Sequence, residues 1–135
     1  MVKINWRNDK VYDIKKLWKL TNDLRIYNIP ISELKWVLYE DFWSNYEGIK
    51  NPNFPEKYIS AMEVLENPSI SKFHQNKIND ADLNYPILVI VLDNTKFDVI
   101  DGIHRLTKAY IKNMKYIKAK IVPFDILEES IIEGN

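Results

Sequence analysis

An unbroken apolar run at residues 87–92, Ile-Leu-Val-Ile-Val-Leu, constrains the fold more than any other feature of the sequence. A run without alternating polar residues is typical of a strand covered on both faces, so we predict a strand over residues 86–92. Residues 93–96 read as a hairpin loop, and residues 97–100 return as a partner strand. A helix over residues 102–113 and a last strand over residues 116–122 follow. This order predicts a mixed α/β (α+β) fold with helices before and between the strands of a small mixed sheet.

The segments ahead of this sheet have mostly helical periodicity. Four helices are predicted, over residues 11–24, 32–43, 56–65 and 69–77. Residues 25–31 read as a short extended run, and residues 45–55, which contain glycine and prolines, read as a loop. We therefore expect a helical N-terminal extension over residues 1–28 and an acidic, frayed tail over residues 128–135.

Composition narrows the classes of protein that fit. The 135 residues suffice for one compact domain and are too few for two ordinary ones, so we expect a single domain. Nineteen Lys and Arg residues balance nineteen Asp and Glu residues, which argues against a general nucleic-acid coat. The sequence has no cysteine, which excludes disulfides and thiolate chemistry and fits a cytoplasmic location. No window approaches the ~20 apolar residues that a membrane span requires, so no membrane association is expected.

The junction between the partner strand and the following helix is the main candidate for a binding site. It reads VIDGIHR at residues 99–105 and contains one of only three glycines, Gly102. Such a turn leaves the first backbone N–H groups of the helix unpaired, which favours anions. His104 and Arg105 lie in the first helical turn, where the helix dipole disfavours cations unless an anion is bound. Lys108 lies one turn beyond His104, so we expect these side chains to converge on one phosphate-bearing ligand. The alternative is a plain connection in which Asp101 caps the helix.

The same residues carry a resemblance to a known family. The run DGIHRLTKA at residues 101–109, between a hairpin and a strand that ends near Pro123, resembles the signature of the ParB/sulfiredoxin-like superfamily. The corresponding motif is Gly-Gly-Cys-His-Arg in sulfiredoxins, Asp-Gly-His-His-Arg in free-serine kinases and Gly-Glu-Arg-Arg in ParB partition proteins. The resemblance covers residues 85–123, and weaker similarity to ParB-like domains lies at residues 29–34 and 81–87.

The resemblance implies a nucleotide of the ATP, ADP or CTP class, or another phosphate-bearing small molecule, seated on the turn. The binding residues would be Asp101, Gly102, Ile103, His104, Arg105 and Lys108. Mg²⁺-dependent phosphoryl transfer or hydrolysis is also implied, with a base or metal ligand supplied by a carboxylate. The candidate catalytic residues are Glu40, Asp41, Asp82 and His104. The first two lie in the region where serine kinases have a catalytic glutamate.

Departures from the family pattern limit what the resemblance implies. Ile103 occupies the position of the sulfiredoxin cysteine, which excludes sulfinic-acid reduction, and serine kinases have histidine there. ParB partition proteins have helix-turn-helix and dimerisation domains after this region, whereas about a dozen residues follow the last strand here. A centromere-binding role is therefore not expected.

Two other functions stay open: a nucleic-acid module of the ParB-like nuclease type, and a non-catalytic adaptor or inhibitor that docks through its aromatic N-terminal half. Asp82 reads as a cap or turn residue, with a position in the cleft as the alternative. His74 reads as a surface or half-buried side chain, with ligand contact as the alternative, and two histidines are too few for a histidine-rich metal site. The tryptophans are expected in the core, although one near the cleft would stack on a base. They are Trp6, Trp18, Trp36 and Trp43.

Overall fold

The computed structural model describes residues 3–5, 11–48, 53–93 and 95–133. The strands in these ranges are β1 (Lys3–Asn5), β2 (Val11–Asp13), β3 (Tyr27–Pro30), β4 (Trp43–Ser44), β5 (Tyr58–Ile59), β6 (Ile87–Val91), β7 (Phe97–Asp101), β8 (Tyr116–Ile121) and β9 (Ile131–Glu133). The α-helices are α1 (Ile14–Leu20), α2 (Ala61–Glu66), α3 (Lys72–Asp80), α4 (Ile103–Ile111) and α5 (Phe124–Glu129). Short 3₁₀ segments lie at Ile31–Glu33, Lys35–Tyr39 and Pro68–Ile70. Within the described ranges, no helix combines the length and the apolar character needed to cross a bilayer.

The central sheet is mixed and has the strand order β3-β8-β6-β7. β6 pairs antiparallel with β7 and parallel with β8, and β3 pairs antiparallel with β8. A parallel pair needs a crossover connection, which β7 and α4 supply between β6 and β8. Two smaller sheets have the orders β1-β2-β9 and β4-β5. The predicted mixed α/β class is therefore confirmed.

Strand β6 is covered on both faces, as its unbroken apolar run predicts. Ile87 and Val89 belong to one core cluster, which includes residues of α2, α3 and α4. Leu88 and Ile90 belong to a second cluster, which includes residues of α1 and α5. Because successive side chains of a strand point to opposite faces, these two clusters are the two sides of the sheet.

The segment from β6 to β8 matches the sequence-based boundaries closely. The predicted strands over residues 86–92, 97–100 and 116–122 and the helix over residues 102–113 are all present, with ends shifted by at most two residues. In the hairpin loop the Leu92 N–H donates to the Lys96 carbonyl at 2.8 Å. The predicted loop residue Asn94 lies outside the described ranges.

The prediction of a helical extension over residues 1–28 is wrong for much of its length. Residues 3–5 and 11–13 are strands, and α1 occupies only Ile14–Leu20. Residues 1–2 and 6–10 of the predicted extension lie outside the described ranges. Asp13 begins this helix, because its Oδ1 accepts the Lys16 N–H at 3.2 Å. Val and Tyr at the start of β2 favour a strand when a partner is present, and β9 supplies one from the far end of the chain.

The prediction of a frayed tail from residue 128 is also wrong as far as residue 133. α5 continues to Glu129, and β9 pairs antiparallel with β2. Leu127 is buried in the second core cluster, and the Ser130 hydroxyl donates to its carbonyl at 2.7 Å. Residues 134–135 lie outside the described ranges.

The predicted helix over residues 32–43 is instead two 3₁₀ segments followed by β4. Three of its buried residues are spaced by three positions, which fits the 3.0 residues per turn of a 3₁₀ helix, and Leu38 is buried beside the last of them. These three are Ile31, Leu34 and Val37, and the N–H of each later residue donates to the carbonyl of the residue three positions earlier.

The helices predicted over residues 56–65 and 69–77 begin later than expected. Ser60 Oγ accepts the Glu63 N–H at 3.1 Å, and Ser71 Oγ accepts the His74 N–H at 3.2 Å. These side chains satisfy backbone donors that the first turn leaves unpaired, so they fix the starts of α2 and α3. The predicted loop over residues 45–55 includes residues 49–52, which lie outside the described ranges.

Candidate functional site

A cleft of about 750 Å³ opens beside the start of α4. Its walls come from α1 and the turn after it, the C-terminal end of α3, the start of β6, the β7–α4 junction and β8. The lining residues are Trp18, Thr21, Asn22, Lys77, Asp80, Ala81, Asp82, Tyr85, Pro86, Leu88, Asp101, Gly102, His104, Arg105 and Lys120. The volume lies in the range of small-molecule sites, and the junction identified from the sequence forms part of its wall.

Gly102 shapes the junction because its backbone is left-handed, with φ +114° and ψ 25°. An added Cβ would lie 2.4 Å from Ile87 Cγ2, so a larger residue cannot fit without displacing β6. Gly102 itself occupies the cap position of α4, and no side chain caps this helix. The alternative in which Asp101 caps α4 is therefore wrong, and the first N–H groups of α4 remain available to a ligand.

Asp101 instead joins two side chains of the cleft wall. Its Oδ2 accepts Arg105 Nη2 at 3.1 Å and Trp18 Nε1 at 2.9 Å. Arg105 Nη1 donates to the Pro86 carbonyl at 2.9 Å, so the guanidinium is held at two points. A guanidinium has five N–H donors, so donors that these two bonds do not use are available to a ligand.

Two exposed aromatic rings line the same cleft. Trp18 is 49% exposed and Tyr85 is 65% exposed, so both offer ring surface to a bound molecule. The bond from Trp18 Nε1 to Asp101 fixes the orientation of the indole. The expectation of a core position is wrong for Trp18, whereas Trp43 is buried and Trp36 packs against the same core cluster. Trp6 lies outside the described ranges.

His104, which lines the cleft, also belongs to a stacked aromatic cluster. Trp43 lies parallel to His74 and His104, with ring centroids 4.3 and 4.5 Å apart. His74 Nδ1 and His104 Nε2 are 3.0 Å apart, which is a hydrogen-bond distance. On its other side, His74 Nε2 lies 3.2 Å from the Ser44 carbonyl oxygen and 3.4 Å from Glu47 Oε1. His74 is completely buried, so its prediction as a surface or half-buried residue is wrong.

The environment of this cluster shifts two pKa values. Burial, reinforced by His74, lowers the pKa of His104 from 6.5 to about 4, and the charge of Glu47 opposes this shift. The hydrogen bond with His74 lowers the pKa of Glu47 despite a partly opposing effect of burial. At neutral pH, His104 is therefore an uncharged imidazole and Glu47 a carboxylate.

Two residues of the expected binding set do not line the cleft. Lys108 Nζ donates to the carbonyls of Asn79 and Ala81 at 2.7 and 2.8 Å. It thereby supplies a hydrogen-bond donor to carbonyl groups at the C-terminal end of α3, which the helix itself leaves unpaired. The expected convergence of Lys108 and His104 on one ligand is therefore not found. The side chain of Ile103 packs against the first core cluster.

Of the candidate catalytic carboxylates, some line the cleft and others do not. Glu40 and Asp41 are exposed, follow the second 3₁₀ segment and do not line the cleft. Asp82 does line it, and its Oδ1 accepts the Asn84 N–H at 2.9 Å, so it has both the turn role and the cleft position considered from the sequence. Asp80, at the end of α3, was not singled out and joins Asp82 and Asp101 as a third carboxylate that lines the cleft.

Sequence reasoning missed the partners that surround His104. Glu47 follows a two-residue strand in a loop, and no pattern in the sequence marks it. His74 carried one usable signal, since the chain has only two histidines. Among the residues that the structure describes, no group of three or more His, Asp or Glu side chains is arranged to hold a metal ion.

Comparison of the chain with protein-family models, with curated proteins and with solved structures finds no match.

Proposed function

We propose that this protein binds a small phosphate-bearing molecule of the nucleotide class in the cleft beside α4. The observation that carries the proposal is the Gly102 turn, which places the uncapped start of α4 in the cleft wall. Backbone N–H groups and the helix dipole both favour an anion there. Arg105 lies in the same helical turn and is already oriented by Asp101 and Pro86, so little side-chain freedom is lost on binding a phosphate.

The aromatic walls support a nucleotide rather than a bare phosphate. A purine or pyrimidine base has a flat apolar face, and base–aromatic stacking contributes about 1–3 kcal/mol per base. Trp18 and Tyr85 offer exposed rings in the same cleft as the α4 N-terminus. One ligand with a base and a phosphate therefore matches both parts of the cleft.

The charges of the cleft support binding together with Mg²⁺. Asp80 and Asp82 line it along with Lys77, Arg105 and Lys120. Mg²⁺ is commonly held by one or two carboxylates together with phosphate oxygens of the ligand. We expect Mg²⁺ to strengthen nucleotide binding here, because it neutralises charge between the carboxylates and the phosphates.

The ParB/sulfiredoxin-like resemblance supports the same ligand class, and we infer membership of that superfamily from it. The motif at residues 101–109 spans the end of β7 and the start of α4, within the order β6-β7-α4-β8. This is the hairpin, helix and strand context that the resemblance implies for a phosphate-binding turn. Asp101, Gly102, His104 and Arg105 are the motif residues that line the cleft.

Isothermal titration calorimetry with ATP, ADP, CTP and inorganic phosphate, each with and without Mg²⁺, tests the proposal. We expect saturable binding of at least one nucleotide, weakened about tenfold or more by Arg105→Lys, which loses the two-point guanidinium contact. Trp18→Leu should weaken nucleotides without affecting inorganic phosphate. Arg25→Lys is the matched control, because Arg25 is exposed and does not line the cleft.

The proposal fails if no phosphate compound binds to the folded protein. It also fails if Arg105→Lys and Arg25→Lys bind equally well. A nucleic-acid module would instead retain a single-stranded oligonucleotide in a gel-shift assay, with affinity that falls steeply as salt rises.

A further inference from the structure

The hydrogen bonds around His74 define which nitrogen carries its proton. His74 Nε2 lies near two groups that only accept, the Ser44 carbonyl and the Glu47 carboxylate. Nε2 therefore carries hydrogen, and in the uncharged form of His74 the Nδ1 atom has a lone pair. That lone pair faces His104 Nε2 at 3.0 Å, so His104 Nε2 is the donor in this bond.

The remaining ring nitrogen of His104 then has a free lone pair. No other described residue forms a hydrogen bond with His104 Nδ1, and no unpaired side-chain nitrogen or oxygen is buried in the described part of the chain. Nδ1 is therefore accessible to solvent, and His104 lines the cleft. An unprotonated ring nitrogen with this exposure beside an anion site is a candidate proton acceptor.

Stacking holds the two imidazoles in this hydrogen-bonded arrangement. Trp43 lies within 10° of the plane of each ring, and it is itself buried in the first core cluster. The imidazoles are inclined to each other by only 16°. Neither ring can turn without breaking both its stack on Trp43 and a hydrogen bond, so the direction of His104 Nδ1 is fixed in advance.

We propose that Glu47, His74 and His104 form a hydrogen-bonded relay that makes His104 Nδ1 the general base for hydrolysis of a phosphate ester or anhydride bound in the cleft. This inference rests on the proposed function, because it needs a phosphate-bearing ligand beside α4. His104 is the catalytic residue. His74 and Glu47 are positioning residues, which select the tautomer of His104 and place a negative charge behind its ring.

The step uses water and no other co-reactant. One O–H bond of the water breaks, its proton goes to His104 Nδ1, and the oxygen forms a bond to phosphorus with the electron pair. The bond from phosphorus to the leaving oxygen breaks with its electron pair on that oxygen, on the side opposite the attacking water. His104 then gives its proton to solvent water. The imidazolium that exists between these transfers donates through Nε2 to His74, whose Nε2–H faces the Glu47 carboxylate.

Nuclear magnetic resonance of the full chain labelled with ¹⁵N-histidine tests the relay without any ligand. The two histidines give two spin systems, and their long-range ¹H–¹⁵N couplings report which nitrogen is protonated. We expect both rings to carry hydrogen on Nε2 at neutral pH. A His104 ring protonated on Nδ1 would overturn the proposal, because no lone pair would then face the cleft.

Glu47→Gln tests the positioning role in the same experiment. The titratable and charged groups around His104 are Glu47, which raises its pKa, and His74, Lys77 and Arg105, which lower it. Removing the Glu47 charge should therefore shift the titration of His104 to lower pH, whereas the exposed Glu33→Gln control should not. Glu47 is half-exposed, so its replacement by an isosteric amide is compatible with folding. An unchanged titration would overturn the role of Glu47.

Phosphate release from the nucleotides that bind tests the catalytic step. We expect His104→Gln to reduce the rate about 100-fold or more, and Glu47→Gln to reduce it less and to alter its pH profile. If the wild-type chain binds nucleotide and releases no phosphate, the relay is not catalytic although the proposed function stands. If nothing binds, the proposed function fails, and the tautomer measurement still shows whether the hydrogen-bond relay exists.

Discussion

His104 makes the stability of the folded chain depend on pH. Burial and the neighbouring His74 hold its pKa at about 4 in the folded state, against 6.5 for the free side chain. Between these values the unfolded chain binds a proton that the folded chain does not, so the free energy of unfolding rises with pH. The contribution is complete above pH 6.5 and is lost as the pH falls toward 4.

The size of this effect follows from the two pKa values. The full difference corresponds to about 3 kcal/mol, and about 2 kcal/mol of it is lost between about pH 7.5 and about pH 5. Glu47 adds a loss of the same sign, because its pKa is lowered from 4.5 in the folded state. The loss from Glu47 develops only as the pH falls toward and below 4.5. The change in the free energy of unfolding measured near pH 5 therefore comes mainly from His104.

Urea unfolding of the wild-type chain and of His104→Gln, each at both pH values, measures the effect. Glutamine does not titrate, and its amide can still donate a hydrogen bond toward His74, so the variant removes the proton linkage with limited structural change. The wild-type free energy of unfolding should fall by about 2 kcal/mol more than that of the variant. Equal losses in the two chains would refute the assignment of a lowered pKa to His104.

Two further substitutions test the packing around the cleft. Gly102→Ala should lower the free energy of unfolding by about 3 kcal/mol in urea, because a left-handed backbone and a clash with β6 act together. Asn113→Gly, at a residue whose φ is +57°, should not destabilise the chain, and similar stabilities of the two variants would contradict the reasoning. Lys108→Met should lower stability by about 1 kcal/mol relative to the exposed Lys112→Met control, since it leaves carbonyls at the end of α3 without their donor. Nucleotide affinity should be the same in both lysine variants, and a selective loss in Lys108→Met would place its ammonium at the ligand after all.

The part of the fold that the sequence predicts well is the part with local signals. β6 is a continuous apolar run, the next strand follows after a short loop, and α4 begins directly after a glycine that its backbone geometry requires. Each of these features is encoded within a few residues, so periodicity and turn chemistry are sufficient to find them. The strand order of the sheet is not encoded in that way, because the parallel pairing of β6 with β8 depends on the crossover.

The elements that were predicted wrongly depend on distant partners. β2 became a strand because β9 pairs with it from the opposite end of the chain, and the helical spacing of nearby apolar residues gave no indication of this. The 3₁₀ segments around Leu34 were read as an α-helix because apolar steps of three fit both helices over a short window. Tertiary pairing and packing, which a single sequence does not display, decided both cases.

The candidate site shows the same contrast between residues marked by a local signal and residues whose position depends on distant partners. Gly102 and Arg105 were identified because the helix start itself marks them, and both line the cleft. Lys108 was misplaced because helical spacing gives the face of a helix and not the neighbour that covers it, and here the end of α3 lies over that face. Trp18 was assigned to the core by its helical position, although it lies at the cleft with its indole bound to Asp101.

Trp43 connects the core to the imidazole rings of His74 and His104. It is packed in the same apolar cluster as the inner face of α4, and its ring stacks on both histidines. A change that loosens this cluster would let both imidazoles turn, since no other described ring lies parallel to the pair. His104 Nδ1 would then lose its fixed direction before the chain unfolds. The reason is that the hydrogen bond between His74 and His104, at 3.0 Å, tolerates little rotation of either ring. Core packing in this chain therefore acts on the proposed base, His104, through one indole, that of Trp43 in the two-residue strand β4.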